Sequence, residues 1–292
     1  MKTLDYSSKD LKEFPIEIFE QKDVEALDLS THTGHWDTWL NPNIFSTIPD
    51  RINEIRNLKR LNLSRTEVRA LPETFRDLKN LTFLDLSSTK LNEIPGVVFQ
   101  LYNLETLIME DCQIELIPAD ILKLKNLRVL NLNNDRIKGI PAEIGKLDKL
   151  EELHLYNNLL VELPKEIGEL RNLRILELGS YENDRNRINI LPREIGNLKK
   201  LEYIHLGNNK LKTLPIELAA CVSLKKLVLW SNEFEEIPEW LSELHLTELN
   251  FYSNPIKEIP ANYGFLTKIK DLTLDERLDE QLAEKSKWWK FW

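Results

Sequence analysis

Three side chains of acid–base type, His154, Glu177 and His205, recur along the chain at steps of 23 and 28 residues. An imidazole, a carboxylate and a second imidazole are the groups of a metal site or a proton relay. If the three stand in neighbouring strands, however, the imidazoles lie ~10 Å apart, whereas zinc holds its ligands at about 2 Å. A hydrogen-bonded polar ladder is therefore expected rather than a metal centre. His32 and His35 form an HxxH pair beside Trp36, Asp37 and Trp39, a pattern too short to specify a metal alone. The two cysteines, Cys112 and Cys221, are too few for a disulfide framework or a zinc site. Both sit where small buried residues belong, so neither reads as a nucleophile. No serine occupies a nucleophile-elbow motif, glycine totals 9, and no phosphate-binding glycine loop occurs. The expectation is no catalytic residue, no metal and no cofactor.

What stands out instead is aromatic. Tyr156, Tyr203, Trp230 and Tyr252 recur with the same period, next to His154 and His205, at positions that core packing does not require. Tyr and Trp bring large area, few rotors and a polar tip, which is why they dominate interface hot spots. One reading makes His154, Tyr156, Glu177, Tyr203, His205, Trp230 and Tyr252 a recognition patch; the other makes them cross-strand stacking that only stabilises the face.

The elements that place these residues follow from the prolines. Eleven of the 13 each follow Leu, Ile or Phe, and the steps from Pro15 to Pro260 run 34, 23, 23, 23, 23, 23, 28, 23, 23 and 22. A fixed period of this length marks a solenoid. From Leu150 the chain reads LEELHLYNNLLVELPKEIGELRN and from Leu127 it reads LRVLNLNNDRIKGIPAEIGKLDK; the first fits LxxLxLxxNxLxxLPxxIxxLxx throughout, and the second fits it with Asp135 for Asn and Ile137 and Ile140 for Leu. In LxxLxL the leucines alternate as a short strand requires, and parallel stacking buries a leucine layer that one repeat cannot bury alone. The chain holds 53 Leu, enough to line such a layer throughout. Proline at a first helical position opens a short helical turn. Acids two residues later (Glu17, Asp120, Glu143, Glu166, Glu194, Glu217) complement its N-terminus. Asn158, Asn209, Asn232 and Asn254 are placed to satisfy backbone groups where each strand turns; elsewhere the position holds Thr66, Thr89, Cys112 and Asp135.

The pattern resembles the leucine-rich repeat family, in the 23-residue form with an LPxEIGxL second half known from bacterial and Ras-group intracellular members. The resemblance covers nearly the whole chain. It implies an α/β solenoid: a curved right-handed horseshoe with a parallel concave sheet and short helical or 3-10 turns on the convex face. About twelve repeats span residues 1–274, and a capping helix with a Trp-rich tail spans 275–292. It also implies a non-enzymatic scaffold whose concave surface binds a protein or peptide.

Two insertions break the period, near residues 31–44 and at Tyr181 to Arg187. The first brings His35, Trp36 and Trp39, either as partner contacts or as a flap over the first repeats. The second extends the rim beside the aromatic patch or is a tolerated surface loop. After Leu274, Leu278 and Leu282 suggest a helix that closes the leucine layer, while Trp288, Trp289, Phe291 and Trp292 among lysines suit either that cap or a membrane interface; the cap is favoured.

Charge narrows the partners. Lys and Arg total 39 against 48 Asp and Glu, and a net charge of -9 disfavours nucleic acid. No apolar run approaches the roughly 20 residues of a membrane helix, and the N-terminus turns polar at Asp5 before any signal-type segment. A cytoplasmic monomer is expected, with secretion or surface display after signal removal as the alternative. Two other functions stay open. The chain is the recognition part of a larger effector or signalling enzyme, although little sequence follows Leu274. Or it is a surface adhesin whose rings stack on glycan or host matrix.

Overall fold

The computed structural model describes residues 1–32, 41–181 and 185–289, with side chains through Ser286. His35, Trp36 and Trp39 of the first insertion, the side chains of Trp288 and Trp289, and Phe291 and Trp292 lie outside the described residues. Two compact units are formed, Met1–Ile137 and Lys138–Trp292.

The first unit contains β1 (Thr3–Asp5), β2 (Ala26–Asp28), β3 (Arg60–Asn62), β4 (Phe83–Asp85), β5 (Thr106–Ile108) and β6 (Val129–Asn131). The second contains β7 (Glu152–His154), β8 (Ile175–Glu177), β9 (Tyr203–His205), β10 (Lys226–Val228), β11 (Glu248–Asn250) and β12 (Asp271–Thr273), then helix α1 (Glu276–Trp289). Within each unit the strands pair in parallel and in chain order. Each strand is the third to fifth residue of a repeat. Its central residue points inward: Leu153, Leu176, Ile204, Leu227 and Leu249 are fully buried. The next leucine, such as Leu155 or Leu206, is buried as well. A buried leucine contributes roughly 1.5–3 kcal/mol of transfer free energy, and only the stack of repeats supplies the neighbours that exclude water from it.

Between strands runs a five-residue 3-10 turn, such as Lys165–Glu169 or Arg193–Asn197. Its proline is not inside the helical segment, as the sequence suggested, but caps it: Pro164 has φ -68° and ψ 147°, extended. The carbonyl of Pro164 then receives the Ile167 N–H at 3.1 Å. The ring contributes a fixed φ and a carbonyl, and needs no N–H there. The acids expected at these turns do sit in the first turn, as Glu143, Glu166 and Glu194 show. Successive turns approach so closely that a Cβ on Gly168 would stand 2.3 Å from the Glu194 carbonyl oxygen, which explains the Gly of EIG.

After most strands the chain turns through a left-handed residue, for example Asn157 (φ 60°), Asn208 (φ 56°) or Ser231 (φ 52°). Buried asparagines hold that turn. Asn209 Nδ2 donates to the carbonyls of Leu178 and Leu206, both at 3.0 Å, and its Oδ1 accepts the Ile188 N–H at 2.9 Å. Asn43 and Asn186 do the same work and were not foreseen, because each follows an insertion that displaces it from the period. Asn186 donates to Leu155 and Leu178 carbonyls at 3.0 Å and accepts the Leu160 N–H at 2.9 Å. Both insertions therefore enter at the same step, between the strand and its ladder asparagine. Asp135 takes this place in the first unit, accepting the N–H groups of Cys112 and Ile114 at 2.9 and 3.0 Å, and burial pushes its carboxyl up to about 7.

Helix α1 closes the last repeat. Leu278 is fully buried, Arg277 donates to the Ile256 carbonyl at 2.5 Å, Lys285 donates to the Ile259 carbonyl, and Gln281 Oε1 accepts the Ile259 N–H at 3.0 Å. Side chains of the helix thus satisfy backbone groups that a further repeat would have paired. Among the described residues no helix is long and apolar enough to cross a membrane.

Candidate functional site

In the second unit the residues outside the leucine layer are the first and third of each strand and the one two positions past its end. The parallel register sets His154 beside Glu177 and Glu177 beside His205. His154 Nδ1 lies 2.5 Å from a Glu177 carboxylate oxygen and its Nε2 lies 3.2 Å from one of Glu152. Burial alone would lower the imidazole pKa, but the bonds to Glu177 and Glu152 more than offset it and hold it above its ordinary value. The same bond holds the Glu177 carboxyl below the usual range.

His205 is bound differently. Its Nδ1 accepts the Gly207 N–H at 3.3 Å, and burial, which disfavours the charged ring, keeps its pKa below the usual imidazole value. It is the hub of the rings. Tyr156, Tyr203 and Trp230 meet it edge-on at centroid distances of 5.5, 6.3 and 6.3 Å.

Two glycines make this possible. A Cβ on Gly179 would stand 2.0 Å from His205 Nδ1, and one on Gly207 would stand 2.3 Å from Trp230 Nε1. Each ring leans back over the glycine of the preceding repeat and occupies the place of a missing side chain.

Tyr181, the first residue of the second insertion, completes the cluster. Its ring stacks on Trp230 at 6.1 Å with 24° between planes and meets Tyr156 at 4.9 Å, and it remains 79% exposed. The sequence placed this insertion beside the patch without assigning Tyr181 to it. The available signal was an aromatic residue two positions after the periodic Gly179. Burial pushes the phenols of Tyr156 and Tyr203 above their ordinary values, with the charge of Glu177 adding to both.

Of the residues expected in the patch, His154 and Glu177 form one hydrogen-bonded pair, and Tyr156, Tyr203, His205 and Trp230 form one ring cluster. Tyr252 stands apart: it is 53% exposed and, among the described residues, makes no ring–ring contact. Its N–H is held by Asn250 Oδ1 at 3.0 Å. Also among the described residues, no group of three or more His, Cys, Asp and Glu is placed to hold a metal ion. Cys112 and Cys221 are buried, donate to the carbonyls of Leu86 and Ile195 at 3.2 Å, and have thiols pushed up to about 11 by burial. Neither presents a thiolate near neutral pH.

Comparison with known proteins accords with this architecture. The leucine rich repeat family model matches residues 56–114 and 125–181. A leucine-rich repeat protein of Leptospira interrogans is 28% identical, with 93% of this chain and 83% of that chain covered and a TM-score of 0.66. The plant peptide hormone receptor RGFR1, solved in complex with RGF2, is 27% identical with a TM-score of 0.70; 94% of this chain and 47% of the receptor chain are covered, so this chain spans about half its length. An internalin from Listeria monocytogenes shares the fold at 20% identity, with a TM-score of 0.77 over 94% of this chain and 73% of that one. No curated protein matches the chain. With the period setting the described strands, the family model matching two stretches of it and these folds matching along it, the chain carries leucine-rich repeats and has the leucine-rich repeat fold.

Proposed function

We propose that the chain is a non-enzymatic scaffold that binds a protein or peptide on the sheet face of its second unit, through Tyr156, Tyr181, Tyr203, His205 and Trp230. One observation carries this reading: five rings are assembled on an outward face, two of them seated on glycines, although the repeat needs none of them. A fold typical of binding scaffolds, and relatives that include a receptor solved with a peptide, support the same reading. A monomer in the cytoplasm is proposed with it.

The test compares wild-type protein with a Tyr181→Ala, Trp230→Ala double variant in pull-downs from the native host, followed by affinity measurement on the captured protein. The expected loss is about 2 kcal/mol or more, near thirtyfold, because hot-spot truncations reach that size. Unchanged melting would show that Tyr181 and Trp230 are not there for stability. Equal capture by a folded variant would overturn the proposal, and strong destabilisation would favour stacking as the rings' only role.

A further inference from the structure

The same face carries a charge pattern that the rings do not explain. Along its strands the outward positions hold four carboxylates, Glu152, Glu177, Glu248 and Asp271, against one ammonium, Lys226. Lys226 lies 3.0 Å from Glu248 and neutralises it. His154 is shared between Glu152 and Glu177, so even a protonated imidazole leaves one of those charges uncompensated. The excess is therefore negative, and it borders the ring cluster: Glu177 acts on both Tyr156 and Tyr203, and Glu248 acts on Tyr203.

Aromatic faces carry the negative part of a quadrupole and attract cations, above all a planar guanidinium that stacks as well. Carboxylates beside such faces add to that attraction and repel anions. The outer face of Tyr181, backed by Trp230, is the open end of this arrangement. We propose that the segment bound here is a basic peptide that lays an arginine guanidinium on the Tyr181–Trp230 platform, with Glu177 and Glu152 supplying the opposing charge. This rests on the reading that the face binds a peptide. A neutral glycan would gain from the rings and could offer hydroxyls to the carboxylates, but it would gain nothing from their charge, and an acidic peptide would be repelled.

The test pans three pools of short random peptides against the full chain, identical except for a fixed central Arg, Gln or Glu. Arg clones should be enriched about tenfold over Gln clones at low salt and lose that advantage at high salt, as a screened ion contact must. Glu177→Gln should weaken the Arg clones several-fold and leave Gln clones unchanged. Tyr181→Ala and Trp230→Ala, each with unchanged circular dichroism, should weaken both; Tyr181 projects from an insertion, so its variant folds even if Trp230→Ala does not. Equal enrichment of Gln or Glu clones, still sensitive to Tyr181→Ala, would overturn the cationic assignment while keeping a peptide-binding face. Clones indifferent to both ring variants, or no clones at all, would overturn both. So would binding on a glycan array that Tyr181→Ala abolishes.

Discussion

One strand position does different work in the two units. In the first unit the last residue of each strand is mostly Asp or Asn, and its side chain is used locally. Asp5, Asp28 and Asp85 each accept both the backbone N–H and the hydroxyl of a serine two residues on, at 2.5–2.9 Å. Asn62 and Asn131 accept the N–H of Ser64 and Asn133 at 3.0 Å. These are Asx turns, and they tie the strand end to the left-handed turn that follows. In the second unit the position passes to His154, Glu177, His205 and Val228. His205 keeps the bond to an N–H two residues on, as does Asn250 at the same position of β11. His154 and Glu177 turn sideways to each other across strands. Loss of the local bond thus frees side chains to form a surface, and the turn geometry survives because buried polar side chains hold it in both units, Asn43, Thr66, Thr89, Cys112 and Asp135 in the first and mostly asparagines in the second.

The glycines test this contrast most severely. Gly179→Ala places a methyl group where the His205 ring lies, so His205 and the rings around it must move; a cost of about 1–3 kcal/mol is expected, as for an overpacked core. Gly139→Ala is the control: a Cβ there meets nothing within 4 Å, and thermal melting should hardly change. If Gly179→Ala melts like wild type, the cluster is loose and the seats are not structural.

Much of the scaffold was legible because a repeat states its physics many times over. The strands, the leucine layer and the ladder asparagines of unbroken repeats follow from the period alone. The failures cluster where the period breaks. Asn43 and Asn186 were missed because insertions shift them out of register, and Tyr181 because only the backbone of an insertion decides whether its ring turns onto the sheet. The proline reading failed on a smaller scale: its φ suits a helix, but its ψ is extended. Tyr252 shares its column with Trp230, yet Trp230 leans back over Gly207 and leaves it without a ring neighbour.

A smaller effect separates acceptor from charge at Asp85. Burial raises its carboxyl pKa despite the bonds from Ser87, and nearby Asp28 adds to the rise. The acceptor is useful while the charge is not. Asp85→Ala should therefore lower stability by about 1–2 kcal/mol, since it strands the Ser87 N–H. Asp85→Asn should be neutral or slightly stabilising, because Asn62 and Asn131 already do this work with an amide. Equal losses in the two variants by chemical denaturation would show that the charge itself contributes.

The smallest expected effect is the dependence of the His154–Glu177 pair on pH. The folded pKa of His154 is raised, so its stabilisation is fully present below the unfolded value of about 6.5 and is lost as pH rises through the folded value. The folded pKa of Glu177 is lowered, so its contribution is present above the unfolded value of about 4.3 and is lost as pH falls through the folded value. Together they stabilise most between roughly pH 4.3 and 6.5. His205 works in the opposite sense: its folded pKa is lowered, and it favours the folded state above about 6.5, with that preference lost as pH falls through the folded value. Wild type and His154→Gln should therefore differ most near pH 5–6, by about 1 kcal/mol or less, and converge in the alkaline range, while His205 contributes equally to both and cancels. A difference that stays flat across the range in paired denaturation curves would mean that His154 is held by packing rather than by its shared proton.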